Sequence, residues 1–230
     1  MLDRSRYAAD GYLVVRGMID PATCAKLRDE AFRFASRQRG LAVDTQLVHR
    51  SALLRDFVTR GPQVDLAIEL LGPNVCFTHQ QYIIKHPDGK GRTRSQTNVP
   101  WHQDSGYGHL EPPLDLTVWI ALDDCTLDNG CLWVLPHSER RGLQPHDGVG
   151  ALRGVTVDEP GVALPMRAGD AVLFGGLLLH RSLPNLTDTA RVALYLRYCD
   201  PCVVMVGEDG RADKPVLEDA YSWMVAGEAR

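Results

Sequence analysis

The pattern of hydrophobic and polar positions changes character near residue 75. Before this point, apolar residues recur at helical spacing after Asp20, which is suited to cap a helix, and Pro21, which is suited to its first position. This pattern predicts a helix that begins at Pro21 and ends at Gly40. The stretch 61–72 predicts a second, shorter helix, with Pro just inside its start and Gly just past its end.

From residue 75 onward, short apolar runs alternate with turns that contain Gly, Pro and Asp. Strands that follow one another without long helices between them favour antiparallel pairing in a sandwich or barrel. We therefore predict a β-sandwich over about 75–200, braced on one face by helices within about 1–74, and an irregular tail over 201–230. The predicted strands lie in GYLVVRGMI, VCFTHQQYIIK, LDLTVWIALDD, GCLWVLP, GVALPM, DAVLFGG and RVALYLRYC.

The composition is that of an ordinary globular chain. Hydrophobic residues make up 44% and charged residues 23% of the 230 residues, which suits a single domain over 1–230. The net charge of −4 argues against nucleic acid or an anionic membrane as a partner. No basic leader opens the sequence, and the apolar run 171–179 is too short to span a bilayer. We expect a cytoplasmic protein that acts on a small molecule; the sequence carries no signal about oligomeric state.

Six cysteines raise the question of redox or zinc chemistry. Cys199 and Cys202 form a CxxC pair, which suits a redox site or half of a zinc site. A structural zinc site needs four ligands, and no second CxxC accompanies this pair. We favour buried, unreactive thiols in a reducing compartment, with CxxC chemistry as the alternative.

The pattern His-x-carboxylate, which can supply two ligands to one metal ion, occurs four times. On an extended chain, residues two apart project to the same face, so such a pair can converge on one ion. Only His102 and Asp104 follow an extended apolar lead-in, NVPW, and precede a glycine-containing loop, so we favour them as ligands over a chance surface pair. The other pairs lie in turns or polar loops: His86 with Asp88, His109 with Glu111, and His137 with Glu139.

A metal site with open coordination positions needs a third protein ligand from elsewhere in the chain. The downstream candidates are His137, His146 and His180. The first two lie in a polar loop region, whereas His180 ends the apolar run GDAVLFGGLLLH, which predicts a strand whose end points into a cavity. The alternative role for His180 is that of a core histidine bonded to the backbone.

Arg191 opens the next β-run after a turn at Pro184, which predicts a hairpin-like return to a strand beside His180. A buried arginine is costly unless its charge is compensated, and a guanidinium suits a carboxylate through paired hydrogen bonds. We therefore expect Arg191 to bind a ligand carboxylate. The alternatives are that it caps the strand in solvent or pairs with Asp188.

These segments resemble the phytanoyl-CoA dioxygenase family of iron(II)/2-oxoglutarate oxygenases. The resemblance lies in PWHQDSGY, TVWIALDDCTLDNGCLWVLPHSER, AGDAVLFGGLLLHRSLPN and the later Arg191, in this order and spacing. It implies a mainly β fold, a double-stranded β-helix or cupin-like jelly roll with N-terminal helices bracing one sheet. It also implies that His102, Asp104 and His180 form the catalytic, Fe(II)-binding triad.

The resemblance further implies a pocket for 2-oxoglutarate. Arg191 and Ser182 are similar to the pair that binds its far carboxylate, while Lys85 and Trp119 match positions that often line its pocket. Structural roles on their strands are the alternative for Lys85 and Trp119. The DNG turn that ends at Gly130 is expected to be purely a hairpin device, with glycine supplying a positive φ.

The implied activity is that of a dioxygenase that uses Fe(II), 2-oxoglutarate and O2 to hydroxylate a small metabolite, releasing succinate and CO2. Asp104 favours oxygenation, because halogenating relatives have a small residue in place of this carboxylate. Desaturation, epoxidation or cyclisation by the same chemistry is an alternative, as are a cupin-like metal protein without 2-oxoglutarate and a non-catalytic binding module. The family's usual Pro-Gly-Ser-His turn is replaced by LPHSER, so His137 receives no role by analogy.

Three loops, 89–100, 105–113 and 136–157, are expected to surround the substrate. Their basic groups would suit an anionic substrate, although solvated loop residues are the simpler interpretation. The chain is short for the family, which favours a compact small molecule over a CoA thioester. The loops offer Arg92, Arg94, Gln96, Tyr107, His109, Arg140 and Arg141.

Overall fold

The computed structural model describes residues 2–34, 40–88, 95–148, 153–207 and 211–229. The α-helices within these residues all lie in the first third of the chain: α1 (Arg4–Asp10), α2 (Pro21–Phe34), α3 (Ala52–Arg60) and α4 (Gln63–Leu71). None of these helices has the length and apolar character needed to cross a membrane.

Helix α2 begins as predicted, because the Asp20 carboxylate accepts hydrogen bonds from the backbone N–H groups of Ala22 and Thr23. Its predicted continuation over 35–39 lies outside the described residues. Helix α4 confirms the second predicted helix; it ends at Leu71, with Gly72 just past its end. The sequence pattern did not predict α1 or α3.

Fourteen strands lie within the described residues. In chain order they are β1 (Tyr12–Val15), β2 (Leu41–Thr45), β3 (Val75–Lys85), β4 (Val99–His102), β5 (His109–Glu111), β6 (Asp115–Ala121), β7 (Leu132–Val134), β8 (Val162–Leu164), β9 (Ala171–Phe174), β10 (His180–Ser182), β11 (Arg191–Cys199), β12 (Val204–Val206), β13 (Ala212–Pro215) and β14 (Trp223–Ala226).

Two antiparallel sheets form the body of the fold. The major sheet has the strand order β1-β9-β6-β11-β3-β14, with β2 also paired to β3, and the minor sheet has the order β4-β10-β7-β8. Consecutive strands in the chain repeatedly belong to different sheets, as they do in a double-stranded β-helix. This arrangement confirms the predicted β-sandwich.

The two faces of the major sheet have different partners because side chains alternate along each strand. The outer face packs against α2, α3 and α4 through residues such as Leu27, Leu54 and Ala67, in one continuous core. The inner face packs against the minor sheet through a second core that includes Trp119 and Tyr195. The helices therefore brace one sheet, as predicted, and leave the space between the sheets for a site.

Two local predictions around His180 are wrong. The apolar run 171–179 is not one strand that ends at this histidine, because β9 ends at Phe174 in the major sheet and β10 begins at His180 in the minor sheet. Arg191 likewise does not return to a strand beside His180, since β11 lies in the major sheet. The chain crosses between the sheets at both connections, and the two residues lie on opposite walls of the interior.

The C-terminal tail is more ordered than the sequence predicted. Strands β12 and β13 form a small sheet with β5, and β14 joins the major sheet along β3. Strand β2 pairs with residues 81–85 of β3, and β14 pairs with residues 75–77 on the same strand. The two short strands therefore share β3 as a partner, opposite to its pairing with β11.

Candidate active site

The three predicted metal ligands meet between the sheets. His102 is the last residue of β4 and lies opposite His180, the first residue of β10, while Asp104 opens the 3-10 turn that follows β4. Oδ1 of Asp104 lies 3.5 Å from Nε2 of His180 and 4.0 Å from Nε2 of His102. Among the described residues, these three form the group whose ligand atoms all lie within 4.8 Å of one another.

Backbone and side-chain partners fix the orientation of each ligand. Nδ1 of His102 lies 2.9 Å from the Pro100 carbonyl oxygen, and Nδ1 of His180 lies 3.0 Å from that of Leu178. A carbonyl can only accept, so each Nδ1 carries the hydrogen and each Nε2 presents a lone pair to the site. Both rings are thus held in the tautomer that a metal ligand requires.

Asp104 is held from the other side. The Thr117 hydroxyl on β6 donates to its Oδ2 at 2.8 Å, which leaves Oδ1 facing the imidazoles. Burial raises the pKa of the Asp104 carboxyl, but its electrostatic interactions with the imidazoles of His180 and His102 and with the Arg197 guanidinium outweigh burial and hold the pKa below its usual value. The carboxyl is therefore ionised at neutral pH.

Burial, reinforced by the neighbouring His180, lowers the pKa of His102 to about 3. The ring is neutral at physiological pH, which is the form that binds a metal. A neutral imidazole pair with one carboxylate on a single face is the donor set of non-haem Fe(II) sites with open positions. The residues present therefore fit an iron ion.

A second feature of the interior is a pair of buried basic side chains. Arg191 and Lys85 lie directly opposite each other on β11 and β3, and they are 1% and 0% exposed. One guanidinium nitrogen of Arg191 donates to the Gly130 carbonyl at 2.9 Å, while its Nε and Nη1 have no hydrogen-bond partner among the described residues. Two unpaired N–H groups on a buried guanidinium suit a carboxylate ligand.

Lys85 has fewer unused hydrogen-bond donors than Arg191. Its Nζ donates to the carbonyl oxygens of Ser182 at 2.8 Å and Leu183 at 2.6 Å, so a donor remains for a ligand only in the charged form, which has three. Burial, reinforced by the Arg191 charge, lowers the pKa of Lys85 to about 6. The side chain is thus mainly neutral at pH 7.

The other two predicted pocket residues lie nearby. The Trp119 ring lies under the Arg191 guanidinium at 5.4 Å, which is cation–π geometry. Ser182 ends β10 and is buried, and its carbonyl contacts Lys85. The structure thus brings the four predicted residues of the 2-oxoglutarate pocket to one end of the interior.

Sequence reasoning missed the role of Gly130. Its φ of +82° confirms the predicted positive φ, but the turn does not form a hairpin, because β6 before it and β7 after it lie in different sheets. The glycine also lies against the Leu183 carbonyl, which a Cβ would approach to 2.2 Å, and its own carbonyl supports Arg191. The prediction of a purely local device was wrong, because contacts remote along the chain are invisible in a turn motif.

Sequence reasoning also missed the support of the loop between the ligands. The Gln103 side chain is fully buried, donates to the carbonyls of Gly142 and Leu177 and accepts from the Gln144 N–H. Nε2 of His146 accepts from the Gln103 N–H at 2.9 Å. His146 is therefore a support of the metal-ligand loop and not the third ligand.

The remaining His-x-carboxylate pairs do not form metal sites of three ligands within the described residues. His109 and Glu111 contact each other at 3.1 Å on β5, and the Asp88 carboxylate accepts from the Gln96 N–H. His137 adopts a left-handed φ of 66° at the start of a 3-10 turn. These positions are structural.

The positions and contacts of the cysteine pair and of the basic loop residues also suit structural roles. Cys199 is buried on β11 opposite Cys76, whereas Cys202 is exposed. Arg140 donates to the carbonyls of residues 8 and 9, and Arg141 pairs with Glu159 at 2.7 Å. Arg92 and Arg94 lie outside the described residues.

Comparison with known proteins identifies the family of this chain. The family model for phytanoyl-CoA dioxygenase (PhyH) matches residues 7–193. The chain is 34% identical over 152 residues to a phytanoyl-CoA dioxygenase of Arabidopsis thaliana, covering 63% of this chain and 51% of the relative. It is 28% identical over 231 residues to the peroxisomal enzyme of Rattus norvegicus, covering 85% and 67%. The chain thus spans about half the length of the plant relative and two thirds of the rat one.

Solved structures show the same fold. The epimerase SnoN in complex with Fe3+, alpha ketoglutarate and nogalamycin RO has a TM-score of 0.76 at 22% identity, with 96% of both chains covered. The carbocyclase SnoK from nogalamycin biosynthesis has a TM-score of 0.75 at 21% identity, covering 98% of this chain and 97% of that one. The predicted jelly roll is confirmed. Because the family model matches residues 7–193, most of the chain, the chain belongs to the phytanoyl-CoA dioxygenase family.

Proposed function

We propose that this protein is an Fe(II)- and 2-oxoglutarate-dependent dioxygenase that hydroxylates a small-molecule metabolite. The observation that carries the proposal is the convergence of two imidazoles and a carboxylate in the same interior as a buried, partly unpaired guanidinium. The first group suits Fe(II), and the second suits a diacid cosubstrate. Family membership and the fold of iron-containing structural neighbours support both assignments.

His102, Asp104 and His180 would hold the iron. An iron ion bound there supplies activation of O2 coupled to oxidative decarboxylation of 2-oxoglutarate to succinate and CO2, with one oxygen atom going to the substrate. Asp104 occupies the position that in halogenating enzymes must be vacated for a halide, and this favours oxygenation.

The protein's own residues would orient the metal ligands and bind 2-oxoglutarate. Thr117 keeps one carboxylate oxygen of Asp104 turned toward the imidazoles. Arg191, supported by Gly130 and Trp119, would receive the far carboxylate of 2-oxoglutarate, with Lys85 supplying its remaining donor. Burial of this end keeps water from competing for these hydrogen bonds.

Other outcomes of the same chemistry form the second candidate function. The structural neighbours SnoN and SnoK are an epimerase and a carbocyclase, so the fold accommodates rearrangement and ring closure as well as oxygen insertion. A cupin-like metal protein without 2-oxoglutarate is less well supported. It would need a fourth ligand, and the described residues hold a group of three beside an arginine that such a protein would not require.

A cytoplasmic location and a small-molecule partner remain predictions. The buried free thiols support a reducing compartment, whereas the rat relative is named as peroxisomal.

The direct test is anaerobic addition of Fe(II) and then 2-oxoglutarate to the purified protein. We expect a weak visible charge-transfer band, followed in air by slow succinate production without substrate. His180→Ala should show neither signal. If the wild-type protein gives no band and no succinate, the proposed function is wrong.

A further inference from the structure

The inner face of the major sheet presents its side chains in rows across β3 and β11. Each row is a cross-strand pair, and successive rows lie about 7 Å apart because two residues separate them along a strand. The first row is the basic pair already described. The rows in order are Lys85 with Arg191, Ile83 with Ala193, Gln81 with Tyr195, and His79 with Arg197.

The rows differ in burial. Lys85 is fully buried, whereas the side chains of Ile83, Gln81 and His79 are partly exposed although they point to the interior. The neighbouring strand β2 continues this face, since Val43 and Thr45 lie opposite Ile83 and Gln81 and are exposed. The space between the sheets is therefore open along β2 and β3. We define the β2–β3 cleft by Val43, Thr45, His79, Gln81, Ile83 and Tyr195.

The cleft adjoins the metal ligands. The His79 ring lies 6.1 Å from that of Tyr195 in an edge-on arrangement. The Tyr195 hydroxyl lies 3.5 Å from the Thr117 hydroxyl, which in turn donates to Asp104. His79 and Gln81 are thus linked to the triad through Tyr195 and Thr117.

The polar groups of the cleft carry no net charge. Burial and the nearby Arg197 charge lower the pKa of His79 to about 4, so the ring is neutral at physiological pH. Its two nitrogens lie 3.1 Å and 3.0 Å from the side-chain amides of Gln46 and Gln81. Both contacting amide atoms are nitrogens, and a neutral imidazole accepts at one nitrogen only, so the ring accepts from one of the two amides, while Gln81 keeps its oxygen and a second N–H for a ligand. The cluster offers both donors and acceptors.

The cations near the cleft are already engaged. Arg197 pairs with Asp115 at 2.7 Å and donates to the Gly108 carbonyl at 2.8 Å. Lys85 lies four residues along β3 from Gln81, about 13 Å away, and belongs to the cosubstrate end. Within the described part of the chain, a carboxylate or phosphate in the cleft would find no unpaired cation.

We propose that the β2–β3 cleft binds the substrate and that it selects a neutral hydrogen-bonding group, such as a hydroxyl or carboxamide, over a carboxylate or phosphate. His79 and Gln81 are its specificity-determining residues. The assignment of the bound molecule as substrate rests on the proposed function, whereas the preference for neutral groups rests on the cleft alone.

The test is ligand-observed saturation-transfer NMR on the full-length chain with no metal added. The probes are matched pairs that differ in one charged group: benzamide and benzoate, methyl glucoside and glucuronate, inositol and inositol phosphate. The variants are His79→Phe and Gln81→Leu, which keep bulk and remove hydrogen bonds. His49→Phe, at an exposed histidine that contacts Tyr221, is the matched control. Thermal melts confirm that each variant folds.

We expect the neutral members to bind in preference to their anionic partners. Loss of one hydrogen bond should weaken neutral binding roughly five- to tenfold in His79→Phe and Gln81→Leu, with no change in His49→Phe. Gln81→Lys should reverse the preference within each pair. Preferential binding of the anions, no binding of any neutral probe, or neutral binding that both variants leave intact would overturn the proposal. The charge-transfer band is measured on the same preparations, so a missing band with intact neutral binding marks failure of the proposed function alone.

Discussion

Replacement of Arg191 by methionine should change ligand binding and protein stability in opposite directions. The guanidinium is 1% exposed and makes one hydrogen bond, to the Gly130 carbonyl, while two of its nitrogens have no partner among the described residues. Methionine has a similar reach, fills the space beside Trp119 and removes the charge. The variant therefore separates the cost of burying a cation from the benefit of binding a diacid.

The expected changes in 2-oxoglutarate affinity and in protein stability both follow from these contacts. Two charge-assisted hydrogen bonds to a carboxylate contribute about 1.5–3 kcal/mol each, so their loss should weaken 2-oxoglutarate binding at least a hundredfold. Without 2-oxoglutarate, methionine removes a desolvated charge at the expense of one hydrogen bond and one cation–π contact, a net gain of about 1–2 kcal/mol. For a chain of this size, the gain corresponds to a Tm increase of roughly 2–6 °C.

Thermal denaturation with and without 2-oxoglutarate, combined with titration of the charge-transfer band, measures both effects. Arg140→Met, which removes an exposed arginine bonded to backbone carbonyls near the N-terminus, is the control and should leave 2-oxoglutarate binding unchanged. A lower Tm for Arg191→Met in the absence of 2-oxoglutarate would contradict the claim that this charge is uncompensated. Unchanged 2-oxoglutarate affinity would contradict its assignment to the cosubstrate.

Three further predictions concern the metal and the cosubstrate. His180→Ala should abolish Fe(II) binding measured by metal analysis after dialysis, whereas Arg191→Met should retain the metal; equal loss of iron in both would show that the two roles are not separate. The pKa of Lys85 is about 6 in the free protein, and a bound carboxylate favours the charged form of this side chain. Binding of 2-oxoglutarate should therefore take up a proton. The affinity should fall as pH rises from 6 to 9, by at most tenfold per pH unit. Calorimetry across this range checks the slope, and a slope that persists in Lys85→Met would assign it to another group. Thr117→Val should weaken Fe(II) binding roughly three- to tenfold, because the Asp104 carboxylate loses the hydrogen bond that orients it. Competition with a chelator measures the Fe(II) affinity. An unchanged Fe(II) affinity would show that this hydrogen bond does not position Asp104.

The long strands of the fold could be predicted closely from the sequence. Strand β3 coincides with the run VCFTHQQYIIK and β11 with RVALYLRYC, because both are continuous β-rich segments bounded by clear turns. The run 171–179 misled the prediction for a physical reason. Both sheets bury their residues against each other, so an apolar sequence continues across the crossing between them. Gly175 and Gly176, which directly follow β9, mark that crossing in the sequence.

The metal-ligand residues of the candidate site could be predicted from the sequence, but the contacts that hold them in place could not. His102, Asp104 and His180 could be assigned from the family resemblance and then meet in space. Gln103 and His146 support the ligand loop through contacts between segments about 40 residues apart, and a single sequence does not record such contacts. The open cleft beside β2 depends on which side chains remain exposed, which is a property of the assembled sheets.

The shared edge of β3 has a consequence for handling the protein. An uncovered strand edge is a template for pairing with another molecule and a common origin of aggregation. Residues 223–226 cover the first part of that edge, so they act as a built-in guard against intermolecular association. Shortening the chain before residue 223 would uncover a hydrogen-bonding surface beside the core of the molecule.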